Sequence, residues 1–78
     1  MNYHERISIN PAVRSGKPCI RGTRLAVVDI LDYLGGGMTV FEVMDDFPDI
    51  EEADIGACFA FAADRARRLN AIPHKVAS

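Results

Sequence analysis

The rhythm of apolar positions changes after the first third of the chain. Ile7-Ser8-Ile9 alternates as a strand does, Asn10-Pro11 breaks the alternation, and Ser15-Gly16-Lys17-Pro18 is a cluster of turn residues. Cys19-Ile20 resumes a strand-like run that Gly22 interrupts. From about Ala26 to Leu34 the spacing becomes helical, with Val27, Ile30, Leu31 and Leu34 on one side and Asp29 and Asp32 on the other. Gly35-Gly36-Gly37 ends this helix, and at least one of these glycines is expected in the left-handed conformation that caps helices. Thr39-Val40-Phe41-Glu42 fits a capping box that opens a second helix, with Val40, Val43, Met44 and Phe47 as its stripe. Pro48 stops it, because the residue before a proline is pushed out of helical geometry.

A third and longest helix is predicted from Glu51 or Glu52 to Leu69, acidic at its start and basic at its end as the helix dipole favours. One stripe consists of Ile55, Cys58, Phe59, Ala62, Ala66 and Leu69; another face carries Ala53, Ala57, Ala60 and Phe61. A helix apolar on two faces is covered on two sides. The two short helices before it are too small to cover both. The first stripe is therefore expected inside, and Ala57, Ala60 and Phe61, with Arg65 and Arg68 beside them, at a dimer or partner interface. The competing arrangement folds Phe61 over its own domain or strands. The expected architecture is mainly α: a three-helix, helix-turn-helix-like bundle preceded by a short N-terminal β-strand pair. Residues 1–70 form one domain (strands and basic loop in 1–25, helices in 26–69), with 71–78 as a flexible tail.

Length sharpens this picture. A chain of 78 residues buries only about 60% of the surface its unfolded form exposes, so a deep self-contained active site is excluded and a partner chain is expected. No apolar run approaches the ~20 residues of a membrane span, and the N-terminus lacks a signal-peptide pattern, so the expected compartment is the cytoplasm. Cys19 and Cys58 are far apart and read as buried reduced thiols. His4 and His74 have no companions at ligand spacing, so neither metal nor cofactor is expected.

The net charge of −2 conceals a segregation. Residues 1–28 carry Arg6, Arg14, Lys17, Arg21 and Arg24 against Glu5 alone; residues 29–64 carry ten acids and no Lys or Arg; Arg65, Arg67, Arg68 and Lys75 follow. Electrostatics must be argued segment by segment. No Ser/His/Asp, Cys/His or HExxH pattern supports catalysis, so no catalytic residue is expected. Gly16-Lys17 is not a phosphate loop, since Pro18 removes an amide where the motif needs one. A helix-turn-helix would send the start of the third helix into the DNA groove. Here that start carries Asp49, Glu51, Glu52 and Asp54, which phosphates repel. Arg14, Lys17, Arg21 and Arg24 are the better nucleic-acid or partner-binding candidates, the alternative being that they pair with Asp29 and Asp32 or form a solvated loop face.

The run SGKPCIRGTR from Ser15 to Arg24 follows Ile9-Asn10-Pro11 and precedes Gly37-Met38-Thr39-Val40-Phe41-Glu42 and Phe47-Pro48-Asp49-Ile50. In these motifs and their order the chain resembles the prokaryotic family catalogued as domain of unknown function 433, over roughly residues 6 to 66. Cys19 stands where that family usually has valine, Ala26 where proline is common, and Glu51 where Ser or Thr often opens the third helix, so that cap is expected to be weaker or to move to Asp49. The resemblance implies a strand pair followed by a helix-turn-helix-like bundle. It also implies an antitoxin role, binding a PIN-like ribonuclease toxin and joining it on operator DNA. The expected protein is thus a non-catalytic, antitoxin-like binding module, as a homodimer or hetero-oligomer and without membrane attachment. A free-standing helix-turn-helix transcription regulator is the alternative.

Overall fold

The computed structural model describes residues 2–69. The expected tail lies outside the described residues. A 3-10 turn at Tyr3–Glu5 leads into β1 (Ile7–Ser8), a tight turn at Arg14–Gly16 and β2 (Cys19–Ile20). Three helices follow: α1 (Val27–Gly35), α2 (Val40–Asp46) and α3 (Glu52–Arg68). The domain is mainly α with an N-terminal strand pair; each strand and α-helix falls within a residue or two of its predicted bounds, while the Tyr3–Glu5 turn was not predicted.

β1 and β2 are antiparallel, with Ile7 opposite Ile20 and Ser8 opposite Cys19. The backbone turns at Ile20–Thr23, where Gly22 takes φ 81° and the Thr23 amide donates to the Ile20 carbonyl at 3.0 Å. A positive φ in the third position of a turn is what glycine supplies without steric cost. Ile7 and Ile20 are buried, and both β1 and the Tyr3–Glu5 turn lie against α3.

All three helices start with a carboxylate at their third position. In α2 the capping box closes both ways: the Glu42 amide donates to Thr39 Oγ1 at 3.1 Å and the Thr39 amide to Glu42 Oε1 at 2.8 Å. In α1 the residue before the helix is Ala26, which has no oxygen to cap with, and its amide donates instead to Asp29 Oδ2 at 3.2 Å. α3 repeats this device, the Glu51 amide donating to Asp54 Oδ2 at 2.8 Å. The cap thus falls to Asp54 inside the helix rather than to Asp49. At the far end of α1 the Gly37 amide reaches the Leu34 carbonyl and the Met38 amide the Tyr33 carbonyl, with Gly37 at φ 111°. This is the paired Schellman closure.

The core gathers Ile7, Ile20, Val27, Ile30, Val43, Ile50, Ile55, Cys58 and Phe61. α3 settles differently from the expectation. Its buried arc is Asp54, Ile55, Ala57, Cys58 and Phe61, a 3-4 spacing that takes one part of each predicted face. Ala57 is fully buried and Phe61 is 9% exposed, so both are core residues of their own chain and neither forms an exposed interface. Ala60 is half-buried. The physical reason is the N-terminus, which covers this side. The Tyr3 ring meets Phe61 edge-on at 5.3 Å, and its hydroxyl donates to Asp64. Conversely, Phe59 (50% exposed), Ala66 and Leu69 (75%) from the stripe expected inside lie at the surface.

Candidate functional site

The basic loop between β1 and α1 is held by its own arginines. Arg14 Nη1 donates to Asp29 Oδ2 at 2.9 Å and to the Arg24 carbonyl at 2.8 Å, so one guanidinium joins both ends of the loop to the start of α1. Arg14 and Ser15 take φ values of 52° and 58°, and Gly16 follows at 85°. The left-handed region is costly for residues with a Cβ, about 1–3 kcal/mol each, and persists only where surrounding contacts impose it. The Arg14 bonds and the Gly16 amide to the Val13 carbonyl supply those contacts. The Asp29 carboxylate beside Arg14 raises the guanidinium above its ordinary range and keeps it charged.

Arg21 is also committed internally. Its Nε donates to the Glu5 carbonyl at 3.1 Å and its Nη2 to the His4 carbonyl at 2.9 Å, which satisfies carbonyls of the Tyr3–Glu5 turn. Arg14 and Arg21 therefore build the loop, and two candidates keep their charges outward. Lys17 and Arg24 are exposed, and neither side chain makes a hydrogen bond or ion pair among the described residues. Arg24 is positioned by the turn behind it: Thr23 Oγ1 donates to the Ile20 carbonyl at 2.8 Å and accepts from the Leu25 amide at 3.0 Å. Arg24 stands between two shallow depressions, one lined by Ser8, Asn10 and Thr23, the other by Asp46, Phe47 and Asp49.

The acidic start of α3 is less hostile to phosphate than its composition. Arg6 Nη1 lies 3.0 Å from Glu51 Oε1 and 3.0 Å from Asp54 Oδ1, and Asp54 is buried. Glu51 and Asp54 share this one guanidinium, which offsets one of the four negative charges there; Asp49 and Glu52 make no ion pair among the described residues. Separations of 45 and 48 residues gave sequence spacing no signal for these contacts. At the other end of α3, Arg65 lies over the Phe61 ring, 4.9 Å from its centroid, a cation–π placement. Arg68 Nε pairs with Asp64 at 3.1 Å. Arg67, which was not among the candidates, is exposed beside them.

Buried titratable groups are few. Burial pushes the Cys58 thiol up to about 12, with the Asp54 charge adding to the effect. The Tyr3 hydroxyl, as donor, holds the Asp64 carboxyl below its ordinary value, and Arg68 acts in the same direction. No trio of His, Cys, Asp or Glu side chains is placed to hold a metal ion among the described residues, and no helix there is long and apolar enough to cross a membrane. What the loop offers chemically is two exposed cations on a backbone fixed by ion pairs and turns.

These features define a small helical domain with an N-terminal strand pair and an arginine-braced basic loop. A family model described as a protein of unknown function (DUF433) matches residues 7–62, so the chain belongs to that family. It is similar in structure to a DUF433 member protein from Anabaena variabilis ATCC 29413, solved by crystallography. That similarity has a TM-score of 0.76 and 25% sequence identity, over 86% of this chain and 70% of the other. No curated protein matches the sequence.

Proposed function

We propose that this chain is a non-catalytic, antitoxin-like binding module that neutralises a PIN-like ribonuclease. The observation that carries the reading is the state of the basic loop: Arg14 and Arg21 are used to rigidify it, while Lys17 and Arg24 are exposed and make no hydrogen bond or ion pair among the described residues. PIN-type active sites hold divalent metal in clustered carboxylates. A preformed loop that presents a lysine and an arginine offers such carboxylates charge-assisted hydrogen bonds at little ordering cost.

The test is co-expression with an adjacent gene that encodes a PIN-like chain. The expected result is a co-purified complex and rescue of growth, both weakened by Lys17→Glu and Arg24→Glu. Absence of a complex with the unaltered chain overturns the reading.

A second reading, a DNA-binding regulator, is favoured by the pairing of Arg6 with Glu51 and Asp54, which offsets one of the four acidic charges at the start of α3. It predicts salt-dependent binding to the DNA upstream of its own gene, since phosphate contacts release counterions. Arg24→Ala is expected to weaken that binding. Loss through Arg21→Ala would accompany loss of the N-terminal turn and would carry no information about contact.

A further inference from the structure

We propose that the outer face of α3 is a homodimer interface on which a second copy of this chain lays its own α3 antiparallel. Ile55, Phe59, Ala62, Ala66 and Leu69 are spaced 4, 3, 4 and 3 residues apart, the seam spacing of paired helices. Ile55 is buried, but beyond it most of the seam is uncovered: Phe59 is 50% exposed and Leu69 75%, Ala66 is exposed, Ala62 is half-buried, and Val28 of α1, beside the seam, is 48% exposed. Gly56, Ala60 and Ala63 continue the face next to Phe59. Small residues there let a second helix approach closely.

Shape and charge both select the antiparallel arrangement. A dyad between Ala62 and Ala63 sets Phe59 against the second copy's Ala66 and Leu69 against its Gly56, large against small at each level. A parallel pairing sets Phe59 on Phe59 and Leu69 on Leu69. It also gathers Arg65, Arg67 and Arg68 of both copies at one end. In the antiparallel pair the groove beside α1, whose charged lining residues are Lys17 and Arg65, faces the half of α3 whose outer depression is lined by Glu52. The two helix dipoles then also oppose. A chain this short gains from such a partner the apolar cover it lacks alone.

The experiment uses the full chain. Sedimentation is expected to give twice the 8.6 kDa protomer mass. Phe59→Asp, near the dyad, is expected to raise the dimer dissociation constant roughly a hundredfold or more, as loss of a central apolar anchor does, and Leu69→Asp, at the end of the seam, roughly tenfold or more. Both sites are exposed enough to keep parental helicity by circular dichroism. Single-cysteine variants read the direction: Ala63→Cys, at the dyad, is expected to cross-link on oxidation, and Leu69→Cys alone is not. Gly56→Cys mixed with Leu69→Cys is expected to cross-link. Cys19 and Cys58 are buried and do not compete. Should Phe59→Asp lose helicity, the cysteine pairs carry the test.

A parent that sediments as one protomer overturns the proposal. If removal of residues 70–78 then produces the dimer, the tail is the occupant of this face. A dimer that survives both aspartates, or that cross-links through Leu69→Cys but not Ala63→Cys, places the interface elsewhere or in the parallel sense and overturns it equally.

Discussion

The two long faces of α3 have nearly the same apolar content and opposite fates. On the inner face Ala57, Cys58 and Phe61 are buried, and β1, the Tyr3–Glu5 turn and α1 pack against the helix. On the outer face Phe59, Ala66 and Leu69 meet solvent. Composition does not separate them: each has one phenylalanine and several small residues. What separates them is polar anchoring. Asp54 on the inner face meets Arg6 after β1's approach, and Asp64 at its edge accepts the Tyr3 hydroxyl, so the N-terminus is fixed against that side. Directional contacts choose which of two similar hydrophobic surfaces becomes core.

The sharpest way to break this comparison is to truncate the phenylalanine of each face. Phe61→Ala removes a ring packed on Tyr3 and is expected to cost about 3–5 kcal/mol in denaturant unfolding. In a domain of marginal stability this is enough to unfold much of the population. Phe59→Ala, measured at concentrations where the chain is a single protomer, is expected to cost less than about 1 kcal/mol. Equal costs would mean that the outer face is packed by its own chain.

Asp54→Ala comes next. It removes the acceptor for the Glu51 amide and leaves Arg6 with the exposed Glu51 alone. About 2 kcal/mol is expected, the size of a lost helix cap and a partly buried hydrogen bond. The comparison on the other helix is Asp29→Ala, which should release Arg14 and the positive-φ turn at Arg14 and Ser15. Its signature is increased proteolysis of the loop at Arg14, a local effect that Asp54→Ala does not produce.

Thiol chemistry distinguishes the faces with a smaller perturbation. At pH 8 a thiol held at about 12 is ionised to on the order of one part in ten thousand, and Cys58 is also inaccessible. Native protein is expected to leave Cys58 unalkylated for as long as it stays folded. An Ala63→Cys thiol on the outer face should react at once in the protomer and slowly in the dimer.

How far the sequence foretold this division depends on the kind of signal. Helix limits were legible because Thr39 and Glu42, Gly37 and Pro48 act on backbone groups within a few residues of themselves. The strand pair was legible from Ile7-Ser8 and Cys19-Ile20 for the same reason. The orientation of α3 was not legible. With alanines all round, no single 3.6-residue period dominates, and the decision passes to Arg6 and Tyr3, which reach Asp54 and Asp64 from 48 and 61 residues away. The basic loop reads in sequence as four candidate cations, with pairing to Asp29 and Asp32 as the alternative, which Arg14 takes up with Asp29. Its division into Arg14 and Arg21, which brace, and Lys17 and Arg24, which project, depends on carbonyls that only the folded backbone brings into range.

The smallest expected effect lies at the border between the faces, where Asp64 is half-buried and accepts from Tyr3 and Arg68. Hydrogen bonding to the ionised form holds its carboxyl below the ordinary value of 3.8. A group lowered in the folded state adds stability above its unfolded value and loses it as pH falls through the folded one. The contribution is therefore complete at neutral pH and fades below pH 3.8. Tyr3→Phe removes the main cause of the lowering while keeping the ring on Phe61. The difference in unfolding free energy between parent and Tyr3→Phe should be constant above about pH 5 and shrink as acid protonates Asp64 in both. A difference that stays constant through the acid limb would assign the role of Tyr3 to its ring alone, and the inner face would then be chosen by packing rather than by the hydroxyl.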